Sequence, residues 1–214
     1  MISKDLDVWY RSLADRGSKK KFQQGEIISL QGEAPGFVGL ILSGRAKAMA
    51  FSEHGHATWV GYFKPYEFFG HMSLISQNHS QFEISADGDV EAIIVSVDVM
   101  HDLLAKEHGL SQTLLIDLAI KLDLMTSRLI EAFSLSAKGR VCAELSRLSR
   151  VIGIRPENLI IRPSPVFVEL AERVNSTRET VSRTVSELQK QGILRREAGA
   201  LIISKPEALK AAIQ

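Results

Sequence analysis

Residues 175–188 read NSTRETVSRTVSEL, and three of these side chains have the chemistry to read bases. On a helix Glu179 and Arg183 stand four apart on one face with Arg178 beside them. Val181, Val185 and Leu188 fall largely on the opposite side. Two guanidinium forks and a carboxylate thus project from the front of a helix whose back is apolar. Arginine pairs bidentately with guanine N7 and O6, and glutamate accepts from cytosine N4. The plainer alternative is a surface Arg/Glu pair. In it, Glu179 merely completes a capping box begun by Ser176 as N-cap.

A second stretch, FGHMSLISQNHSQFEISA at 69–86, lies in a region built without cations. From residue 65 to 105 there is no Lys or Arg, yet seven acids occur: Glu67, Glu83, Asp87, Asp89, Glu91, Asp98 and Asp102. His71, His79 and His101 fall in the same run. Such a region is poorly suited to an anionic ligand, because burying an anion without a cation costs several kcal/mol. Metal chemistry has little support. His54 and His56 are spaced like a chelating pair on a strand, but EHGH at 53–56 reads as a hairpin tip with no third ligand in view. Cys142 is the only cysteine, which removes any intramolecular disulfide or all-cysteine cluster. It reads as a small core residue. No nucleophile–base set and no Walker-type loop is visible, so the expectation is a non-enzyme with no cofactor and no metal.

The elements that position these residues follow from composition and period. The 214 residues are 45% hydrophobic and 24% charged, ordinary for a globular protein, and no apolar run reaches membrane-spanning length. The first residues, MISKDLDVWYRSL, do not read as a secretion leader, so cytoplasm is the expected location. Residues 1–136 carry 12 basic and 17 acidic groups, whereas residues 137–214 carry 14 basic and 8 acidic ones. That asymmetry points the C-terminal part toward a polyanion.

Short β-type runs (GFVGLILSG, AKAMAF, ATWVGYF) separated by glycines predict a β-sandwich or barrel, with VEAIIVSV at 90–97 as a last buried strand. From Gly109 the period changes. Leu115, Leu118, Leu122, Met125, Leu129 and Ala132 recur at intervals of 3 and 4, the seam of a coiled coil. A second row (Ile116, Ala119, Ile120, Leu124) offers another apolar face, so one face is available for the β domain and one for a partner helix. The helical pattern weakens over Ser134–Gly139, where an interdomain hinge is expected. GRVCAELSRLSRVIG then predicts a further helix. After the proline-marked IRPENLIIRPSP come FVELAERV, the recognition segment, Gly192 and the hairpin ILRREAGALIIS. Two helices, a tight turn and a hairpin spell a winged helix-turn-helix.

RETVSR resembles the recognition helix of the cyclic AMP receptor protein (Crp/Fnr) family of bacterial transcription regulators. The resemblance covers nearly the whole chain. GEIISLQGEAPGFVGLILSGRAKA is similar to that family's cyclic-nucleotide-binding β-roll, and YEFFG to the lead into its phosphate-binding segment. Residues 109–134 match its dimerisation helix, and the spacing from Gly139 and Arg140 to Arg178 fits without a gap. The resemblance implies an α+β chain: an N-terminal β-roll sensor (1–108), a long dimerisation helix with hinge (109–136) and a C-terminal winged helix-turn-helix (137–214). It implies that Arg178, Glu179 and Arg183 read a TGTGA-like half-site, joined at the DNA by Thr177, Ser182 and the wing residues Arg195 and Arg196. Ser182 stands where the family's cyclic AMP receptor has glycine. Double-stranded DNA, a second copy of the chain and RNA polymerase are the implied partners, and no membrane. An effector event would rotate the DNA-binding domains about the hinge, setting two recognition helices about 34 Å apart.

The implied effector pocket comprises Gly70, His71, Met72, Ser80, Gln81, Met125 and Thr126. In nucleotide-binding members a glutamate holds the ribose hydroxyl and an arginine the cyclic phosphate. Here His71 replaces the glutamate, and Ser80 or Gln81 sits where the arginine belongs. The expectation is an effector other than cyclic AMP, or none. Three occupants stay open: a different small molecule, the chain's own Met72, Phe82 and Met125, or a metal or haem at His71. The carbon-monoxide sensor's ligand pattern is not reproduced. A ligand-binding scaffold and a barrel enzyme are the rival classes.

Overall fold

The computed structural model describes residues 3–34, 36–152 and 159–214. These divide into two units, Met1–Asp123 and Leu124–Gln214. In chain order the first contains α1 (Ser3–Arg16), β1 (Ser18–Phe22), β2 (Ile27–Ser29), β3 (Phe37–Ser43), β4 (Ala46–Phe51), β5 (Ala57–Phe63), β6 (Phe68–Phe69), α2 (His71–Ser76), β7 (Glu83–Ala86), β8 (Val90–Ser96) and α3 (Val97–Lys106). The helix α4 (His108–Ser134) begins there and runs on into the second.

Two antiparallel four-stranded sheets, ordered β1-β8-β3-β6 and β2-β7-β4-β5, form the expected β-roll. The run AIIV in β8 is apolar throughout because both faces of its sheet are covered. Ala92 and Ile94 join the core shared by the two sheets, with Ile41, Ala48, Ile84 and Phe69. Ile93 and Val95 pack instead with Leu13, Met100, Leu103, Leu110 and Leu114 from the helices. Side chains alternate across a strand, so one sequence run feeds two cores. At Gly39 of β3 any Cβ would lie 2.0 Å from the ring of Phe69, which is fully buried. The glycine is the room that ring occupies.

The helices α1, α2 and α3 have no counterpart in the sequence reading. Ser96 ends β8 and caps α3, its hydroxyl accepting from the Val99 N–H. The face of α4 that meets the roll also differs from the expected second row. Leu110 and Leu114 are buried, and Asp117 and Lys121 continue the same stripe. Ile116 and Ile120 are 58% and 59% exposed. The roll takes a stripe that begins at Leu110, ahead of the first seam residue Leu115.

In the second unit α5 (Ala137–Ile152) leads to β9 (Leu159–Ile161), α6 (Phe167–Arg173), α7 (Arg178–Lys190), β10 (Leu194–Glu197), β11 (Ala200–Ile203) and α8 (Pro206–Ala211). The three strands form one antiparallel sheet, β10-β11-β9. Val141, Cys142, Leu145, Leu170, Val181, Val185, Leu188 and Leu201 make a single core. The expected winged helix-turn-helix is present. Part of the proline-marked stretch, residues 154–158, lies outside the described residues; β9 and α8 were not anticipated. No helix among the described residues is long and apolar enough to cross a membrane.

Candidate nucleic-acid interface and sensor segment

The helix α7 is anchored by its back and capped at its front. Val181, Val185 and Leu188 are fully buried, and Thr184 nearly so. The N-cap is Thr177, one residue later than the sequence suggested: its hydroxyl accepts from the Thr180 N–H at 3.2 Å and meets Thr180 Oγ1 at 3.0 Å. Ser176 instead gives its N–H to the Ala171 carbonyl, inside the turn. The turn is one residue longer than the capping-box reading assumed, because Asn175 takes a left-handed conformation (φ 45°). Glu179 is therefore outside the cap. It is exposed in the first turn, as are Arg178 and, on the next turn, Arg183. Ser182 is half-buried on the flank. On the wing, Arg195 pairs with Glu197 at 3.1 Å, while the Arg196 guanidinium lies 4.9 Å from the Phe167 ring centroid.

The sensor segment is held together by contacts the sequence did not disclose. Gly70 (φ 80°) turns the chain from β6 into α2; its Cβ would strike the Phe37 carbonyl at 2.6 Å. His71, next in line, is 1% exposed. Its Nε2 lies 3.2 Å from Asp117 Oδ2, too poorly aligned for a hydrogen bond, and its Nδ1 also lacks one. Lys121 binds the same Asp117 oxygen at 2.6 Å, donates to the Phe68 carbonyl at 3.0 Å and lies over the Phe63 ring. A cation from α4 thus reaches the segment, and a carboxylate accompanies it. Two of the seven acids also gain partners from outside the cation-free run: Asp87 pairs with Arg45, and Asp102 with Arg16 and Lys106. Asp117 and Lys121 were missed because nothing in a heptad count marks two charged residues as inward-facing. Their i,i+4 spacing on a stripe continuing Leu110 and Leu114 was the available signal.

The remaining pocket candidates are divided between the two units. Ser80 is buried, its hydroxyl donating to the Phe82 carbonyl at 2.7 Å. Gln81 is exposed and donates to His79 O. Met72 is 48% exposed within one chain. Phe82 packs toward Phe63 in the sandwich core. Met125 and Thr126 are exposed on the part of α4 that belongs to the second unit. Among the described residues no group of three or more His, Cys, Asp or Glu side chains is arranged to hold a metal ion.

Burial pushes the His71 imidazole below its ordinary value of 6.5, with Lys121 adding to the effect and Asp117 opposing it. Burial would raise Asp117, but His71 and Lys121 together bring it below 3.8. The unfolded chain protonates His71 near 6.5 and the folded chain only further down. The stability tied to a neutral His71 is therefore complete above that value and is lost as the pH falls from it through the folded value. Asp117's share is lost only on acidification below 3.8. Urea unfolding between about pH 7.5 and 5 should show wild type losing stability more steeply than His71→Gln. Parallel slopes would exclude His71 as the titrating group.

Residues 19–107 match the model of the cyclic nucleotide-binding domain, and residues 139–212 that of the Crp-like helix-turn-helix domain. A CRP-like cAMP-activated global transcriptional regulator from Mycobacterium tuberculosis is 23% identical over 189 residues, covering 88% of this chain and 84% of its own length. Among solved structures, a CooA variant from Carboxydothermus hydrogenoformans superposes with a TM-score of 0.81 at 17% identity, covering 92% of this chain and 88% of that one. A CRP/FNR-family transcriptional regulator from Thermus thermophilus gives a TM-score of 0.64 at 23% identity, with 92% and 98% covered. A β-roll matching one domain model, a winged helix-turn-helix matching the other and a regulator aligned across both lead to one conclusion: this chain belongs to the Crp/Fnr family of transcription regulators.

Proposed function

We propose that this chain binds a TGTGA-like palindrome as a homodimer and regulates transcription without using cyclic AMP. The observation that carries the reading is the presentation of Arg178, Glu179 and Arg183. All three are exposed at the front of a helix whose opposite face is buried, and the Thr177 cap leaves the glutamate available. Thr177 and Ser182 flank them, and the wing carries Arg195 and Arg196 to the backbone phosphates. RNA polymerase is the partner that a regulator of this family would address from the DNA.

The seam of α4 supports pairing of two copies. Leu115, Leu122 and Leu129 are 66%, 67% and 59% exposed within one chain, and Met125 37%. Leucines in register at heptad spacing gain most by meeting the same row of another chain.

The relative from M. tuberculosis is described as cAMP-activated, but the present chain has His71 and Ser80 or Gln81 where the family's nucleotide-holding pattern calls for glutamate and arginine. His71 is buried against Asp117, the Ser80 hydroxyl is already bonded, and Lys121, the cation that α4 brings to the segment, is paired with a carboxylate. An anionic ligand there would lose hydration and find little free positive charge.

Three outcomes are expected. Arg178→Ala and Arg183→Ala each cost about 1–3 kcal/mol on the selected site and relax preference at one base pair, whereas Arg195→Ala weakens all sequences alike. Equal loss on specific and random DNA for Arg178→Ala would remove its role in readout. Leu122→Glu or Leu129→Glu yields monomers in sedimentation, because a carboxylate would be left unpaired in the seam. A persistent dimer would place pairing elsewhere. Calorimetry near pH 7.5 finds millimolar affinity or weaker for cyclic AMP and cyclic GMP, roughly 4 kcal/mol or less of binding energy. Micromolar binding coupled to tighter DNA binding would reverse the sensor reading.

A further inference from the structure

The turn between α6 and α7 is fastened by two arginines from outside the helix-turn-helix pair. A helix ends with carbonyls that no later N–H can reach. At the end of α6, Arg128 Nη1 donates to the Arg173 carbonyl at 3.1 Å. Arg140 Nε donates to the Val174 carbonyl at 2.9 Å, and its Nη2 to the Asn175 carbonyl at 3.2 Å. Three successive main-chain oxygens thus receive guanidinium donors, the charge that also suits a helix C-terminus. The two arginines come from different elements. Arg128 is on α4, one residue before the exposed seam leucine Leu129. Arg140 is in the first turn of α5, and its Nη1 holds the Leu135 carbonyl at 3.1 Å, in the link between α4 and α5.

A second attachment runs in parallel. Glu144 of α5 is 2% exposed and accepts from Arg128 at 3.3 Å, from Arg173 at 3.4 Å and from Arg147, which also holds Glu131 of α4. The end of α4, the start of α5 and the end of α6 are therefore joined through one set of charged groups, and α7 starts three turn residues and a cap later.

We propose that Arg128 and Arg140 are positioning residues for base readout. They reference the direction of α7 to the C-terminal end of α4, the helix through which two copies pair. This inference rests on the preceding reading of α7 as the DNA-reading helix and of α4 as the pairing helix. It assigns to two residues that need not touch DNA the task of setting the distance and angle between the two recognition helices. The fork of Arg140 spans three carbonyls in fixed directions, which a lysine ammonium on a single stem cannot reproduce.

Two measurements on the full chain test it, using Arg128→Ala, Arg128→Lys and Arg140→Lys. The first is affinity for a series of palindromes whose half-site separation is varied one base pair at a time, with a single half-site as reference. Wild type should favour one separation. The variants should lose about tenfold at that separation, the worth of one charge-assisted hydrogen bond, while keeping single half-site affinity, so that the dependence on separation flattens. A purely structural defect would lower all of these together. The second measurement needs no DNA: amide exchange at Asn175, Ser176 and Thr177 should accelerate in Arg140→Lys while Val185 and Leu188 keep their protection. Variants with wild-type separation preference and unchanged exchange overturn the inference, as does a uniform loss of protection across α7. If wild type selects no DNA at all, the DNA reading fails. The amide exchange then still decides whether the arginines hold the turn.

Discussion

Glu144 is a carboxylate removed from water, and the second unit is organised by the need to compensate it. A buried charge left without partners costs about 3–5 kcal/mol, so its surroundings have little freedom. Arg128, Arg147 and Arg173 meet it from α4, α5 and α6. Each of these arginines has a second duty: Arg128 to a carbonyl, Arg147 to Glu131, Arg173 to Glu169. Hydrogen-bonded ion networks of this kind contribute little net stability but admit few geometries, so they fix the directions of the helices they join. The apolar core of Val141, Leu145, Leu170, Val181 and Leu188 supplies cohesion. The charged cluster supplies direction.

The β-roll shows the same division between cohesion and direction with a different outcome. Its two cores share β3 and β8, and the helices α1, α3 and α4 cover the outer face. The charged set here is small: His71, Asp117 and Lys121, at the point where α2 meets α4. A neutral imidazole sits beside an ionised carboxylate that is better served by lysine. Where an anion would need an open pair of donors, the segment has closed its charges upon itself and spent the Ser80 hydroxyl on a neighbouring carbonyl. Family membership therefore settles the architecture.

Much of this was legible in the chain. Glycine-separated β runs, the 3–4 spacing of apolar residues after Gly109 and the RETVSR segment marked the β-roll, the long helix and the helix-turn-helix in that order, because local period and turn chemistry are properties of neighbours in sequence. The apolar back of α7 was equally plain, since Val181, Val185 and Leu188 repeat at helical spacing. Short helices such as α2 and α8 escaped because six residues carry too little periodicity to declare themselves. The cap moved from Ser176 to Thr177 because a left-handed Asn175 lengthens the turn, a backbone choice that composition does not specify.

The sequence by itself determined which face of α7 is polar, which row of α4 is apolar, and that the segment from 65 to 105 has no cation of its own. Tertiary structure decided the rest. It chose Leu110, Leu114, Asp117 and Lys121 as the stripe that faces the roll, leaving Leu115, Ile116, Ile120 and Leu122 exposed. It brought Arg128 and Arg140 to carbonyls 45 and 34 residues away. The physical reason is one of range. Period and capping depend on residues within a turn or two of each other, whereas a charge finds its partner only after the chain has folded. At that point desolvation dictates which distant group must be there.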